Sequence, residues 1–113
     1  MSEIDVEIGQ EIGVLVVEDE PVAADAHRAY LERVPGLVVR AVAHDGAGAI
    51  RLLGDPSSTV DLVLLDMHLP DLHGLDVVRA MRTAGHRADV IAVTSRAGSM
   101  RSTGRWPRCE APT

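Results

Sequence analysis

The stretch Asp61-Leu62-Val63-Leu64-Leu65-Asp66, continuing as Met67-His68-Leu69-Pro70-Asp71-Leu72-His73-Gly74, decides how the chain is read. Four consecutive apolar residues are too few for a helix of their own, and Pro70 and Gly74 bound them on the far side. Such a run reads as a strand buried on both faces, the kind found inside a parallel sheet. Asp66 then stands at its carboxyl end, where ligands and chemistry collect in open α/β sheets. An Asp after an apolar run is more commonly a helix N-cap or a loop acid. Pro70 and Gly74 argue against that fate, because they postpone the next helix and leave Asp66 on an irregular loop.

The same pattern recurs on either side. Gly13-Val14-Leu15-Val16-Val17 is a second buried strand, ending in Glu18-Asp19-Glu20-Pro21. The spacing predicts a helix over Pro21–Val34 with Ala23, Ala26, His27, Tyr30, Leu31 and Val34 as its core stripe. His27 reads there as a packed or hydrogen-bonded core residue, since no partner lies at ligand spacing on the same face. Pro35-Gly36 stops the helix, and Leu37 to Ala43 has strand composition interrupted by Arg40, which marks an edge strand. Asp45 to Leu53 is a short helix closed by the turn-rich Gly54 to Ser58. Leu75 to Ala84 is a third helix, with Leu75, Val78 and Met81 on one face and Gly85 at its end. Asp89-Val90-Ile91-Ala92-Val93-Thr94 is a fourth strand, with Thr94 and Ser95 at its carboxyl end. This alternation is the signature of a doubly wound parallel sheet with right-handed crossovers. Gly46 and Gly48 form neither a Walker loop nor a dinucleotide motif.

A chain of 113 residues holds one domain, with residues 1–11 expected as a flexible acidic tail, 12–95 as the folded unit and 96–113 as a disordered or loosely docked tail. A net charge of -6 argues against direct nucleic-acid binding or an anionic membrane surface as the main partner. Every basic residue is Arg; there is no Lys. The single cysteine, Cys109, excludes an internal disulfide. Neither a signal peptide nor a membrane span is discernible, so a soluble, cytoplasmic protein is expected.

If the first and third strands are neighbours, Glu18, Asp19 and Asp66 share one crevice and repel unless a cation occupies it. Hard oxygen ligands of this kind suit Mg²⁺. A carboxylate beside such an ion can attack phosphorus in line and form an aspartyl phosphate. Thr94 would offer a hydroxyl to a phosphoryl oxygen. The plainer reading of Glu18 to Glu20 is that they complement a helix amino terminus.

Taken together, Glu18-Asp19 after the first strand, Asp66 after the third with Leu69-Pro70-Asp71 and Gly74, and Thr94-Ser95 after the fourth resemble the receiver domains of two-component response regulators. The resemblance covers Val14 to Ser95. It implies a flavodoxin-like sheet of four strands in the order 2-1-3-4 with three helices, Asp66 as phosphoacceptor, and Glu18 and Asp19 as Mg²⁺ acids. It further implies the backbone carbonyl of His68 as a metal ligand, Thr94 with Ser95 as the switch contact to the phosphoryl group, and a sensor histidine kinase as donor. His27-Arg28, Tyr30-Leu31, Pro35-Gly36 and Gly74-Leu75-Asp76 look most like the branch answering citrate and C4-dicarboxylates.

Receivers continue through a fifth strand ending in Lys-Pro, which has no counterpart here, so no phosphate-binding lysine is assigned and a truncated, impaired domain is expected. Self-association along an exposed Val90 to Val93 edge would follow. Three other readings compete: a receiver-like interaction module without phosphorylation, a phosphatase with an Asp nucleophile, and a side-chain metal site of Asp66, His68, Asp71 and His73. The second suffers from His68, which stands where such phosphatases carry another acid.

Overall fold

A computed structural model describes residues 11–93. Expectations for the two tails and for Thr94 and Ser95 lie outside the described residues. Within them the chain runs β1 (Ile12–Val17), α1 (Pro21–Glu32), β2 (Leu37–Ala43), α2 (Gly46–Gly54), β3 (Leu62–Asp66), α3 (Gly74–Thr83) and β4 (Asp89–Val93). All three strand pairings are parallel, in the order β2-β1-β3-β4. The order and the element types are those expected.

Side chains alternate across β1, and this divides the core in two. Leu15 and Val17 pack with Val63 and Leu65 of β3 against Ala49, Leu53, Val77 and Met81 of α2 and α3. Val14 and Val16 face the other way, toward Leu31 of α1. The central strands therefore carry apolar residues at successive positions because both faces are covered.

β2 is the outer strand, as its interrupted pattern implied. Val14 pairs with Val39 and Leu15 with Ala41, so the register skips Arg40. Arg40 thus occupies a bulge, and its guanidinium lies 3.7 Å from the Glu11 carboxylate.

Two helix faces differ from expectation. In α1 the buried residues are Ala24 and Leu31, while Tyr30 is 66% exposed and Ala26 also faces solvent. In α3 Gly74, Val77 and Met81 are buried and Leu75 is not. Helix α1 also stops at Glu32 rather than Val34: the Arg33 and Val34 amides donate to the Tyr30 and Leu31 carbonyls, and Gly36, at φ 92°, turns the chain into β2.

Candidate functional site

Parallel strands carry their carboxyl ends to one edge of the sheet, so β1 and β3 deliver Glu18, Asp19 and Asp66 to the same place. Val17 pairs with Leu65, so Glu18, just past β1, comes beside Asp66 at the end of β3. Oxygen atoms from Glu18, Asp19 and Asp66 lie within 4.8 Å of one another. Glu18 is 1% exposed and Asp66 4%, and they are the buried charged residues among those described. Asp19 faces solvent.

The two buried acids are held by their backbone surroundings. The Glu18 amide donates to the Ala43 carbonyl at 2.9 Å, and its carboxylate Oε2 accepts from the Glu20 amide at 3.2 Å. Asp66 Oδ1 accepts from the His68 amide at 3.0 Å. The Met67 amide donates to the Val93 carbonyl, and the Met67 carbonyl accepts from the Gly74 amide. These bonds fasten the loop after Asp66 to β4 on one side and to α3 on the other. The first turn of α3 is capped by His73, not by Asp66, which is instead the last residue of β3, paired with Val93 at the strand's carboxyl end rather than standing in the loop.

Burial first, then the neighbouring charges of Asp66 and Asp19, push the Glu18 carboxyl up to about 7, against a lowering by the Glu20 amide. One Glu18 oxygen, Oε1, is buried without a hydrogen-bond partner. A buried, unsatisfied carboxylate oxygen among three clustered acids is the environment a hard cation relieves. The donor set fits Mg²⁺. The alternative side-chain metal site is not assembled: Asp71 accepts hydrogen bonds from Gly46 and Ala47, and His73 Nδ1 from Leu75. The His68 and His73 rings meet edge to face at 6.0 Å.

Residues 14–104 match the family model for the response regulator receiver domain. The chain belongs to that family. Among curated relatives, the receiver is 35% identical over 82 residues to a probable C4-dicarboxylate response regulator, DctR, of Priestia megaterium, covering 73% of this chain and 35% of that protein. It is 38% identical over 81 residues to the nitrate/nitrite response regulator NarP of Escherichia coli strain K12, covering 72% of this chain and 37% of NarP. A probable C4-dicarboxylate response regulator DctR of Bacillus subtilis strain 168 is 29% identical over 82 residues, covering 73% of this chain and 35% of that protein. The receiver thus spans about a third of the length of the curated relatives it matches. A LuxR-family two-component response regulator from Aurantimonas sp. SI85-9A1 superposes with a TM-score of 0.68 at 31% identity, covering 74% of this chain and 59% of that one. The MaeR response regulator bound to beryllium trifluoride does so with a TM-score of 0.67 at 34% identity, covering 74% of this chain and 67% of that one.

Two residues at the receiver's site were not assigned to it from sequence. His27 Nε2 lies 3.7 Å from Glu18 Oε1, and His44 Nδ1 lies 3.3 Å from the Glu18 carbonyl. His27 comes from the helix after β1 and His44 from beyond β2, so no spacing within one element signals them. No described helix is long and apolar enough to cross a membrane.

Proposed function

We propose that the chain accepts a phosphoryl group on Asp66 from a sensor histidine kinase in the cytoplasm, with Mg²⁺ held by Glu18, Asp19, Asp66 and the His68 carbonyl. The supporting observation is the convergence of three carboxylates at two neighbouring strand ends. Asp66 Oδ1 is held by the His68 amide, which fixes the carboxyl plane, and we assign the attack to Oδ2. An Oδ2–P bond forms as the P–N bond to the donor imidazole breaks, and the departing nitrogen takes a proton from water. The metal, when bound, supplies charge neutralisation at the phosphoryl oxygens.

Thr94, with Ser95, is proposed as the hydroxyl contact to the phosphoryl group. The 113 residues contain no Lys, so within them no ammonium group supplies a charge-assisted bond to that group, a bond worth roughly 1.5 to 3 kcal/mol. The switch at Thr94 is accordingly weak for a chain of these residues alone. The domain division is proposed as residues 12–95 between two tails, and copies are proposed to associate through the β4 edge.

Incubation with a small acyl phosphate and Mg²⁺, followed by intact-mass and peptide mapping, tests the reading. One phosphoryl group should be found on Asp66 and none in Asp66→Asn. Label persisting in Asp66→Asn would redirect the chemistry elsewhere.

A further inference from the structure

Glu18 is held at every polar atom but one. Its amide and carbonyl are engaged by Ala43 and His44, and its Oε2 by the Glu20 amide. The remaining atom, Oε1, is buried and unpartnered, and the atom facing it is His27 Nε2, itself buried and unpartnered. They lie 3.7 Å apart, with the Glu18 side chain 2% exposed and that of His27 28% exposed. This separation is too long for a hydrogen bond. A closer approach of about 0.5 Å would bring it to hydrogen-bond length.

Two unsatisfied buried groups of complementary type, left side by side, are unusual in a folded protein. A carboxylate oxygen deep in the crevice needs a donor most when the carboxylate is ionised, and it is ionised when it faces a cation. Water cannot serve this oxygen freely, because the side chain has almost no contact with solvent. A donor fixed on the rigid helix α1 can. Groups standing behind a metal ligand in this way set its orientation, and their loss costs about 10- to 100-fold in metal affinity.

We propose that His27 is the positioning residue for Glu18: its Nε2–H donates to Glu18 Oε1 in the Mg²⁺-loaded protein and holds that carboxylate in register with Asp19 and Asp66. The proposal rests on the reading that these three acids bind Mg²⁺. His27 itself does not touch the metal or Asp66. Its task is to keep Glu18 aligned once the carboxylate is charged.

The full chain is titrated with Mg²⁺ and followed by amide chemical shifts, in the parent and in His27→Leu, His27→Gln and Asp19→Asn. In His27→Leu the affinity should fall about 10-fold or more. His27→Gln carries an amide N–H near the position of Nε2, so it should stay close to the parent. Ring ¹⁵N shifts of the parent should show the Nε2–H tautomer once Mg²⁺ is bound. If His27→Leu binds like the parent while Asp19→Asn does not bind, His27 has no such role and the metal site stands. If the parent fails to bind, or Asp19→Asn binds equally, both ideas fall together. Should His27→Leu not fold, the glutamine variant and the tautomer decide: weak binding in the former or an Nδ1–H ring in the latter overturns the proposal.

Discussion

Asp71 reaches from the loop after β3 to the first turn of α2, where its Oδ1 accepts from the Gly46 amide at 2.7 Å and its Oδ2 from the Ala47 amide at 3.0 Å. Asp45 accepts from Gly48 at 2.7 Å, so two carboxylates satisfy three amides of one helix start. The link joins residues 25 apart in sequence and ties the loop after Asp66 to a helix of the core. Gly46 is needed beneath it, since a Cβ there would lie 2.6 Å from Leu72 Cδ1. Asp71→Ala should therefore lower the urea midpoint, and by more than Asp55→Ala, whose bonds to Ser57 are local and exposed. The Gly46 amide, foremost, holds the Asp71 carboxyl below its ordinary 3.8. A depressed acid stabilises fully above the unfolded value and loses that stabilisation as pH falls through the folded one. The gap between parent and Asp71→Ala should thus be full at neutral pH and shrink below about pH 4. Equal midpoints at neutral pH would show that the loop does not anchor α2.

Glu18 has the opposite sign. Its folded value near 7 lies above the ordinary 4.5, chiefly through burial. Below the ordinary value both folded and unfolded chains are protonated and nothing changes. Between the two values the unfolded chain ionises while the folded one keeps its proton, so stability falls as pH rises and levels off above the folded value. The loss is on the order of 1 to 2 kcal/mol. Denaturant melts from pH 4.5 to 8 without metal should show this slope in the parent and not in Glu18→Gln, with Mg²⁺ restoring stability at the upper end. Parallel curves for the two proteins would contradict the assignment.

Gly74 opens α3 directly against Met67, the residue that follows Asp66. A Cβ there would lie 2.5 Å from Met67 Sδ and 3.0 Å from Met67 Cα. The sulfur can move; the backbone carbon cannot without carrying Asp66 along. Gly74→Ala should destabilise by roughly 1 to 3 kcal/mol, the range for overpacking a tight site. It should also slow phosphorylation of Asp66, which a calorimetric melt beside a labelling time course would check. Unchanged labelling would show that Met67 yields through its side chain alone.

The strands were legible because both faces of β1 and β3 are covered, which forces unbroken apolar runs ending at Glu18 and Asp66. The edge position of β2 was legible from Arg40 alone. Helix phase was not. Alanines at 23, 24, 26 and 29 make two faces of α1 nearly equivalent in sequence, and Leu31 together with Ala24 wins because those residues meet the sheet. In α3, Val77 sits at 0% exposure between the helix and the sheet, while Leu75 lies one step outside that face. In sequence His27 reads as a packed or hydrogen-bonded core residue because its own helix face offers no partner at ligand spacing. Its neighbour, Glu18, lies just past the end of β1. Asp71 gave no sign of its role, since a bond to Gly46 depends on how two loops fold back at one sheet edge.

The β4 edge yields the last expectation. Among the described residues β4 pairs with β3 alone, through Leu64↔Ile91 and its neighbours. Ile91 is 42% exposed, on the side of the sheet where Leu62 and Leu64 are only half-buried. A strand edge offers unpaired amides and carbonyls to another strand, and an apolar residue beside it favours the contact. A second copy presents the same edge, so the chain should associate in a concentration-dependent way. Ile91→Lys places a charge where two such edges would meet, and it removes little buried area from the fold. Sedimentation equilibrium should show the parent shifting toward a dimer with concentration and Ile91→Lys remaining a monomer of unchanged melting temperature. A parent that stays monomeric across the range would mean that this edge is closed to other copies.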